Sequence, residues 1–168
     1  RRNRKSVAVL SGKESDEALK ALASDLFSYF GLGCRSVSKV YLPEGMEPAE
    51  LFGFLDEYQW LFEHTPWRNN YDYQLSLLLL NQQEVVQHDF SLWVPQQGFG
   101  TPISVIAYEH YSDPEKLGKS LNYHQGELQV ILSDMDSIEN AKPLGSGQQP
   151  ELMDYPDGLD VMAFLTDL

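Results

Sequence analysis

Residues 7–43, VAVLSGKESDEALKALASDLFSYFGLGCRSVSKVYLP, carry the reading on which the fold depends. Val7-Ala8-Val9-Leu10 is a short apolar run closed by Ser11-Gly12, the signature of a buried strand. Ser15, followed by Asp16 and Glu17, starts a helix, with a hydroxyl to cap it and acidic residues where the macrodipole favours them. Leu19, Leu22, Leu26 and Phe30 then fall on one helical stripe, and Gly31 and Gly33 are placed to stop it. A second strand follows at Ser38-Lys39-Val40-Tyr41-Leu42, ended by Pro43. Strand, helix and strand in so short a span predict a parallel βαβ unit.

The rest of the chain extends that pattern. Pro48 opens a helix with Leu51, Phe54, Leu55 and Tyr58 on one side. Residues 66–73 read as a polar, aromatic loop, and Leu75 to Leu80 fit either a strand or a buried helical turn. Phe90 to Val94 alternates as a strand does. A turn at Gly98 to Thr101 leads into Pro102 to Tyr108, the strongest strand pattern in the chain. Asp113-Pro114-Glu115 starts a short helix through Leu121, Leu128 to Leu132 is another strand, and Leu159 to Leu165 forms a last amphipathic turn. The predicted fold is α/β, three-layer α/β/α with a mostly parallel sheet. One domain covers residues 1–140, and a tail over 141–168 packs on it or on a partner.

The 168 residues include 12 Lys and Arg against 25 Asp and Glu, a net charge of −13. Four of the basic residues (Arg1, Arg2, Arg4, Lys5) fall in the first five positions, so the body of the chain is more acidic still. Such a body repels phosphate backbones and anionic membrane surfaces, which argues against nucleic acid as a partner. No apolar run approaches a bilayer span, and no h-region follows the basic start. A cytoplasmic location is expected. No initiator Met is present, and the chain reads as a piece of a longer protein.

Cys34 is the first candidate for chemistry. As the one cysteine it excludes an internal disulfide and a multi-cysteine zinc site. It follows a helix and two glycines, so free backbone N–H groups near it can lower the thiol pKa and stabilise an oxyanion, with Arg35 adding positive charge. The competing reading is a small buried hydrophobe. His64, His88, His110 and His124 share no ligand spacing, so no metal site is expected. Gly31-Leu32-Gly33 follows a helix rather than a strand and is a poor phosphate loop. The aromatic stretch Trp60 to Tyr73 fits a core or interface better than a ligand channel.

Three segments together resemble the catalytic half of the aldehyde dehydrogenase superfamily. Gly31-Leu32-Gly33-Cys34 looks like its Gly-Gln-x-Cys nucleophile motif, with Lys39 to Leu42 as the following strand. Phe99-Gly100-Thr101-Pro102 looks like its Glu-x-Phe-Gly-Pro segment with one extra residue, and Leu10-Ser11-Gly12-Lys13 like the end of Glu-Leu-Gly-Gly-Lys. Within the superfamily, YFGLGCRSVSKVYLP and PELMDYPDGLDVMAFL are similar to the acyl-CoA reductase family, that of the fatty-acid reductase component of bacterial luminescence and its non-luminous relatives. The resemblance implies a fold like the aldehyde dehydrogenase catalytic domain, with Cys34 as nucleophile, Gly33 and Arg35 in its oxyanion loop, and Phe99 and Gly100 bordering a nicotinamide. It implies NADPH, held mainly by a preceding half that this chain lacks. It also implies a long-chain acyl-CoA or acyl-protein thioester as substrate, a fatty aldehyde as product, and a homo-oligomer. Val9 falls where hydrolytic members carry a general-base Glu, and Gln97 where they grip the nicotinamide ribose with Glu. A non-enzymatic interaction or oligomerisation domain of the same fold is the alternative.

Overall fold

The computed structural model describes residues 4–152, 154–155 and 160–166. Arg1, Arg2 and Leu159, singled out above, lie outside these residues. Six strands form one sheet in the order β3-β4-β5-β2-β1-β6. They are β1 (Lys5–Val9), β2 (Val37–Pro43), β3 (Val86–Gln87), β4 (Leu92–Pro95), β5 (Val105–Tyr111) and β6 (Leu128–Leu132). Every pairing is parallel except β3 with β4, so the fold is α/β with a mostly parallel sheet.

Strand alternation divides the side chains between two layers. Ala8, Leu10, Val40, Leu42, Ile106 and Leu132 point to one face, covered by α1 (Asp16–Phe27) through Leu19, Leu22, Ala23, Leu26 and Phe27. Val7, Val9, Tyr41 and Ile131 point to the other, where Leu121 of α3 (Pro114–Tyr123) packs. Ser15 caps α1 by accepting from the Ala18 N–H, and Asp113 caps α3 by accepting from Glu115 and Lys116, as their sequence positions lead one to expect. No described helix is long and apolar enough to cross a membrane.

Several local expectations are corrected. Residues 66–73 are not a loop: α2 (Thr65–Leu80) takes them in, and Trp67 and Tyr71, one turn apart, are its buried side chains. Pro66 sits in the first turn, and aromatic residues that look like loop composition are the apolar stripe of this helix. The segment after Pro48 forms two 3₁₀ helices, Pro48–Phe54 and Asp56–Glu63, rather than one α-helix. The strand expected from Pro102 begins only at Val105, because Ser104 turns left-handed (φ 67°). α1 stops at Phe27, three residues short of Phe30, the last residue of the expected stripe.

The tail expected from 141 has a bonded beginning. Lys142 bridges to Leu132 beside β6. Asp25 of α1 accepts from the N–H groups of Gly145 (2.5 Å) and Gly147 (2.8 Å). A Cβ at Gly147 would stand 2.6 Å from the Asp25 carboxylate, so only glycine brings the backbone this close. Beyond it, α4 (Val161–Thr166) has no buried side chain.

Candidate active site around Cys34

The local backbone decides where the thiol goes. Phe27, at the end of α1, is buried among the rings of Tyr58, Trp67 and Phe90, with centroids 5.7, 6.2 and 5.1 Å away. The chain then makes three successive left-handed residues: Tyr29 (φ 54°), Phe30 (φ 59°) and Gly31 (φ 61°). Left-handed geometry costs roughly 1–2 kcal/mol at a residue bearing a Cβ. Two such residues in a row need holding from outside. Phe30 is held by ring contacts with Trp60 (5.8 Å) and His64 (4.6 Å), while Tyr29 is exposed. Glycine bears the third position without that cost.

This turn reverses the chain into a second tight turn, closed by the Ser36 N–H donating to the Gly33 carbonyl at 3.0 Å. Cys34 sits on that turn with its side chain exposed, just ahead of the amino end of β2. It is not the buried hydrophobe of the competing reading. Its carbonyl accepts from Ser6 Oγ at 2.9 Å, which ties the turn to β1. Among the described residues nothing accepts a hydrogen bond from the backbone N–H groups of Gly33, Cys34 or Arg35. Three consecutive unengaged donors thus lie on the turn that carries the exposed thiol, the kind of group that can meet negative charge developing beside it.

The Arg35 side chain engages the segment after β6. Its Nε donates to the Gly147 carbonyl at 2.5 Å and Nη2 lies 3.5 Å from Asp154, so its charge braces the segment after β6. Gly31, Leu32 and Gly33 wall a groove of about 110 Å³ together with Phe30, Ile103 and Val105. The groove opens at the amino ends of the strands, whereas open α/β sheets ordinarily take ligands at the carboxyl ends. No carboxylate lines it among the described residues.

The loop over 96–104 meets the same sheet end. Ser38 Oγ donates to the Phe99 carbonyl at 2.5 Å and lies 3.4 Å from the Ser6 carbonyl, while Thr101 Oγ1 reaches the Ser38 carbonyl at 3.5 Å. Serines on two strands thus connect the Cys34 turn with the Phe99-Gly100 loop. Gly100 is exposed, and the half-buried Phe99 ring packs toward the α3 side, 5.5 Å from His124. Val9 is differently placed. It is buried at the carboxyl end of β1, level with Tyr41, while Cys34 precedes the amino end of β2. In a parallel pair those are opposite ends. Val9 is therefore corrected as a stand-in for a base near the thiol, and Ser6 is the β1 residue beside it.

Two buried ionic groups escaped the sequence reading. Lys39 is fully buried under the 96–104 loop, with Nζ 2.5 Å from Glu109 and 2.7 Å from the Gln97 carbonyl, and 4.7 Å from the Tyr41 ring centroid. Burial pushes its pKa down, against the pull of Glu109. Asp25 is raised to about 6 by burial, opposed by the Gly145 and Gly147 N–H groups and by Arg35. Neither has a local motif, since their partners lie about 70 and 120 residues away. No group of His, Cys, Asp and Glu able to hold a metal occurs among the described residues.

No family model matches the chain, and no curated protein matches it. Among solved structures, it is similar to a protein described as a methylmalonate-semialdehyde dehydrogenase of Sinorhizobium meliloti 1021, solved with NAD. The identity is 12%, the TM-score 0.46, and the match covers 80% of this chain. The chain spans 35% of that protein's length.

Proposed function

We propose that this chain is the thiol-bearing part of an acyl-CoA reductase of aldehyde dehydrogenase type. The observation that carries the reading is the exposed Cys34 on a turn whose three backbone N–H groups are unengaged. The motif resemblance around Gly31 to Cys34 supports it. In the first step Cys34 Sγ, as thiolate, attacks the carbonyl carbon of a long-chain acyl-CoA or acyl-protein thioester. The new C–S bond forms, the old one breaks, and the donor leaves as its thiolate. The N–H groups of Gly33, Cys34 and Arg35 face the oxyanion of this attack, each well-placed donor being worth roughly 3 kcal/mol. The groove behind Gly31 to Gly33 takes the start of the acyl chain against Leu26, Phe30 and Ile103, and among the described residues it presents no carboxylate to activate water against the acyl-cysteine.

NADPH, when bound, supplies hydride to the carbonyl carbon held on Cys34. At its nicotinamide end this chain offers the aromatic edge of Phe99 and the bare backbone of Gly100. The strand–glycine–helix junction at Ser11-Gly12 is closed to a phosphate, since the Glu14 carboxylate already accepts from the N–H groups of both residues. The pyrophosphate is then expected in the nucleotide-binding half that the resemblance implies. A cytoplasmic location and a homo-oligomer accompany the reading.

The test is a single-turnover assay with palmitoyl-CoA. About one equivalent of free CoA per chain is the result expected of covalent transfer to one thiol, with none from Cys34→Ala. CoA release that survives the substitution assigns the chemistry elsewhere. No release at all favours an interaction domain.

A further inference from the structure

A second cleft, of about 370 Å³, runs along the outer edge of β6 from Leu128 to Ile131 and reaches the residues just ahead of β1 and β2. Three cations line it: Arg4 ahead of β1, Arg35 ahead of β2, and Lys142 beside β6. Its one lining carboxylate among the described residues, Asp154, is shared between Lys142 Nζ (2.5 Å) and Arg35 Nη2 (3.5 Å). Among the described residues two positive charges are left over, in a chain whose net charge is −13.

The cleft also gathers buried polar atoms that lack partners. Among the described residues Arg4 Nε has no hydrogen-bond acceptor, Arg35 Nη2 has only the long ion pair to Asp154, and Gln129 Oε1 has no donor. Folded proteins rarely leave such atoms unsatisfied, and here all three belong to side chains that line one cavity. A ligand that closes the set carries anionic oxygens for the guanidinium groups, a hydrogen-bond donor for Gln129, and a charge near −2. A carboxylate monoanion leaves one cation unmatched. A phosphomonoester brings about −1.5 to −2 at neutral pH and suits the planar fork of arginine. The volume and the apolar side chains of β6 leave room for a ring beyond the phosphate.

We propose that this cleft binds a phosphomonoester on a nucleoside-sized molecule, with Arg4, Arg35 and Lys142 holding the phosphate and Gln129 a donor on the attached group. The site stands independently of Cys34 chemistry. The source of the phosphate rests on the reading under Proposed function, where two ligands supply it: the 3′-phosphate of an acyl-CoA and the 2′-phosphate of a phosphorylated nicotinamide dinucleotide.

The experiment is calorimetric titration of the full chain with adenosine 3′,5′-bisphosphate, adenosine 2′,5′-bisphosphate and adenosine. Saturable binding of at least one bisphosphate is expected, with adenosine at least about tenfold weaker. Arg4→Gln and Lys142→Gln should each weaken the bisphosphate by about tenfold, the scale of one charge-assisted contact. A 3′ preference assigns the phosphate to the thioester donor and a 2′ preference to the dinucleotide, and either upholds the site. Failure of both bisphosphates to bind at millimolar concentration, equal binding of adenosine, or affinity unchanged in both variants overturns it. Should a variant misfold, the Nε–H resonances of Arg4 and Arg35 in the unmodified chain decide: they shift on adding the bisphosphate, and unmoved signals count against the cleft. A Cys34 adduct without bisphosphate binding removes the cleft and spares the catalytic reading, and the reverse result does the opposite.

Discussion

Ser6 Oγ donates to the carbonyl of Cys34 at 2.9 Å, joining the first strand of the sheet to the turn that carries the thiol. Ser6 is fully buried, so the bond has no water to replace it on the serine side. Removing the hydroxyl frees the turn while leaving the thiol in the sequence. Ser6→Ala is expected to cost about 1 kcal/mol in a urea melt, the net value of one such hydrogen bond. It should also slow acyl transfer severalfold, because the N–H groups around Cys34 lose their fixed direction. Transfer as fast as in the unmodified chain would remove Ser6 from the account.

The left-handed run ahead of Cys34 makes opposite predictions at two neighbouring positions. Tyr29 is exposed and strained, so Tyr29→Gly should stabilise the chain by about 0.5–1 kcal/mol. Gly31→Ala places a Cβ at φ 61° and 3.1 Å from the Leu26 carbonyl, and should destabilise by about 1–2 kcal/mol. Thermal melts of the pair check the sign; destabilisation by both would mean the turn is not the strained element described.

Lys39 and Glu109 form an asymmetric pair, one wholly buried and the other 41% exposed in its side chain. Glu109→Gln leaves a buried ammonium with less compensation and is expected to cost about 2 kcal/mol, below the 3–5 of a fully buried pair because Glu109 is partly solvated. Lys39 has a folded pKa below its unfolded value, so the unfolded chain binds the extra proton between the two and stability rises with pH through that window. Burial is the chief cause, and loss of the opposing carboxylate deepens it. The penalty of Glu109→Gln should therefore shrink from pH 7 to pH 9.5, and a penalty that grew would reverse the assignment.

Asp25 titrates with the other sign. Its folded pKa of about 6 stands above the ordinary 3.8, so the folded chain holds a proton that the unfolded chain has released. The contribution of Asp25 is therefore most favourable below pH 4 and is lost as pH rises through 6, by up to about 3 kcal/mol from the size of the shift. Relative to Asp25→Asn, the unmodified chain should gain stability as pH falls from 7 to 4. Parallel pH profiles for the two chains would contradict the raised value.

The sequence made the sheet legible where strands are long and apolar. β1, β2, β6 and helices α1 and α3 follow from apolar runs and capping residues, and they suffice for a parallel α/β fold. The edge was harder, since β3 has only two residues and owes its strand state to pairing with β4. α2 was hidden because Trp67 and Tyr71 sit among Arg68, Asn69, Asn70 and Asp72, a composition that imitates a loop. The exposure of Cys34 fits its glycines, although the sequence alone also allowed a buried thiol. The run that creates it was not foreseeable, because Tyr29 and Phe30 have no propensity for left-handed geometry, and Phe30 is held in it by Trp60 and His64. The Lys39–Glu109 pair depends on strand register, which no short window of sequence contains.

The most direct measurement is the intact mass of the chain after exposure to palmitoyl-CoA. The account predicts a single added palmitoyl group, removable by neutral hydroxylamine as a thioester is, located on the peptide containing Cys34 and missing from Cys34→Ala. An unmodified mass, or an adduct that persists in Cys34→Ala, would contradict it.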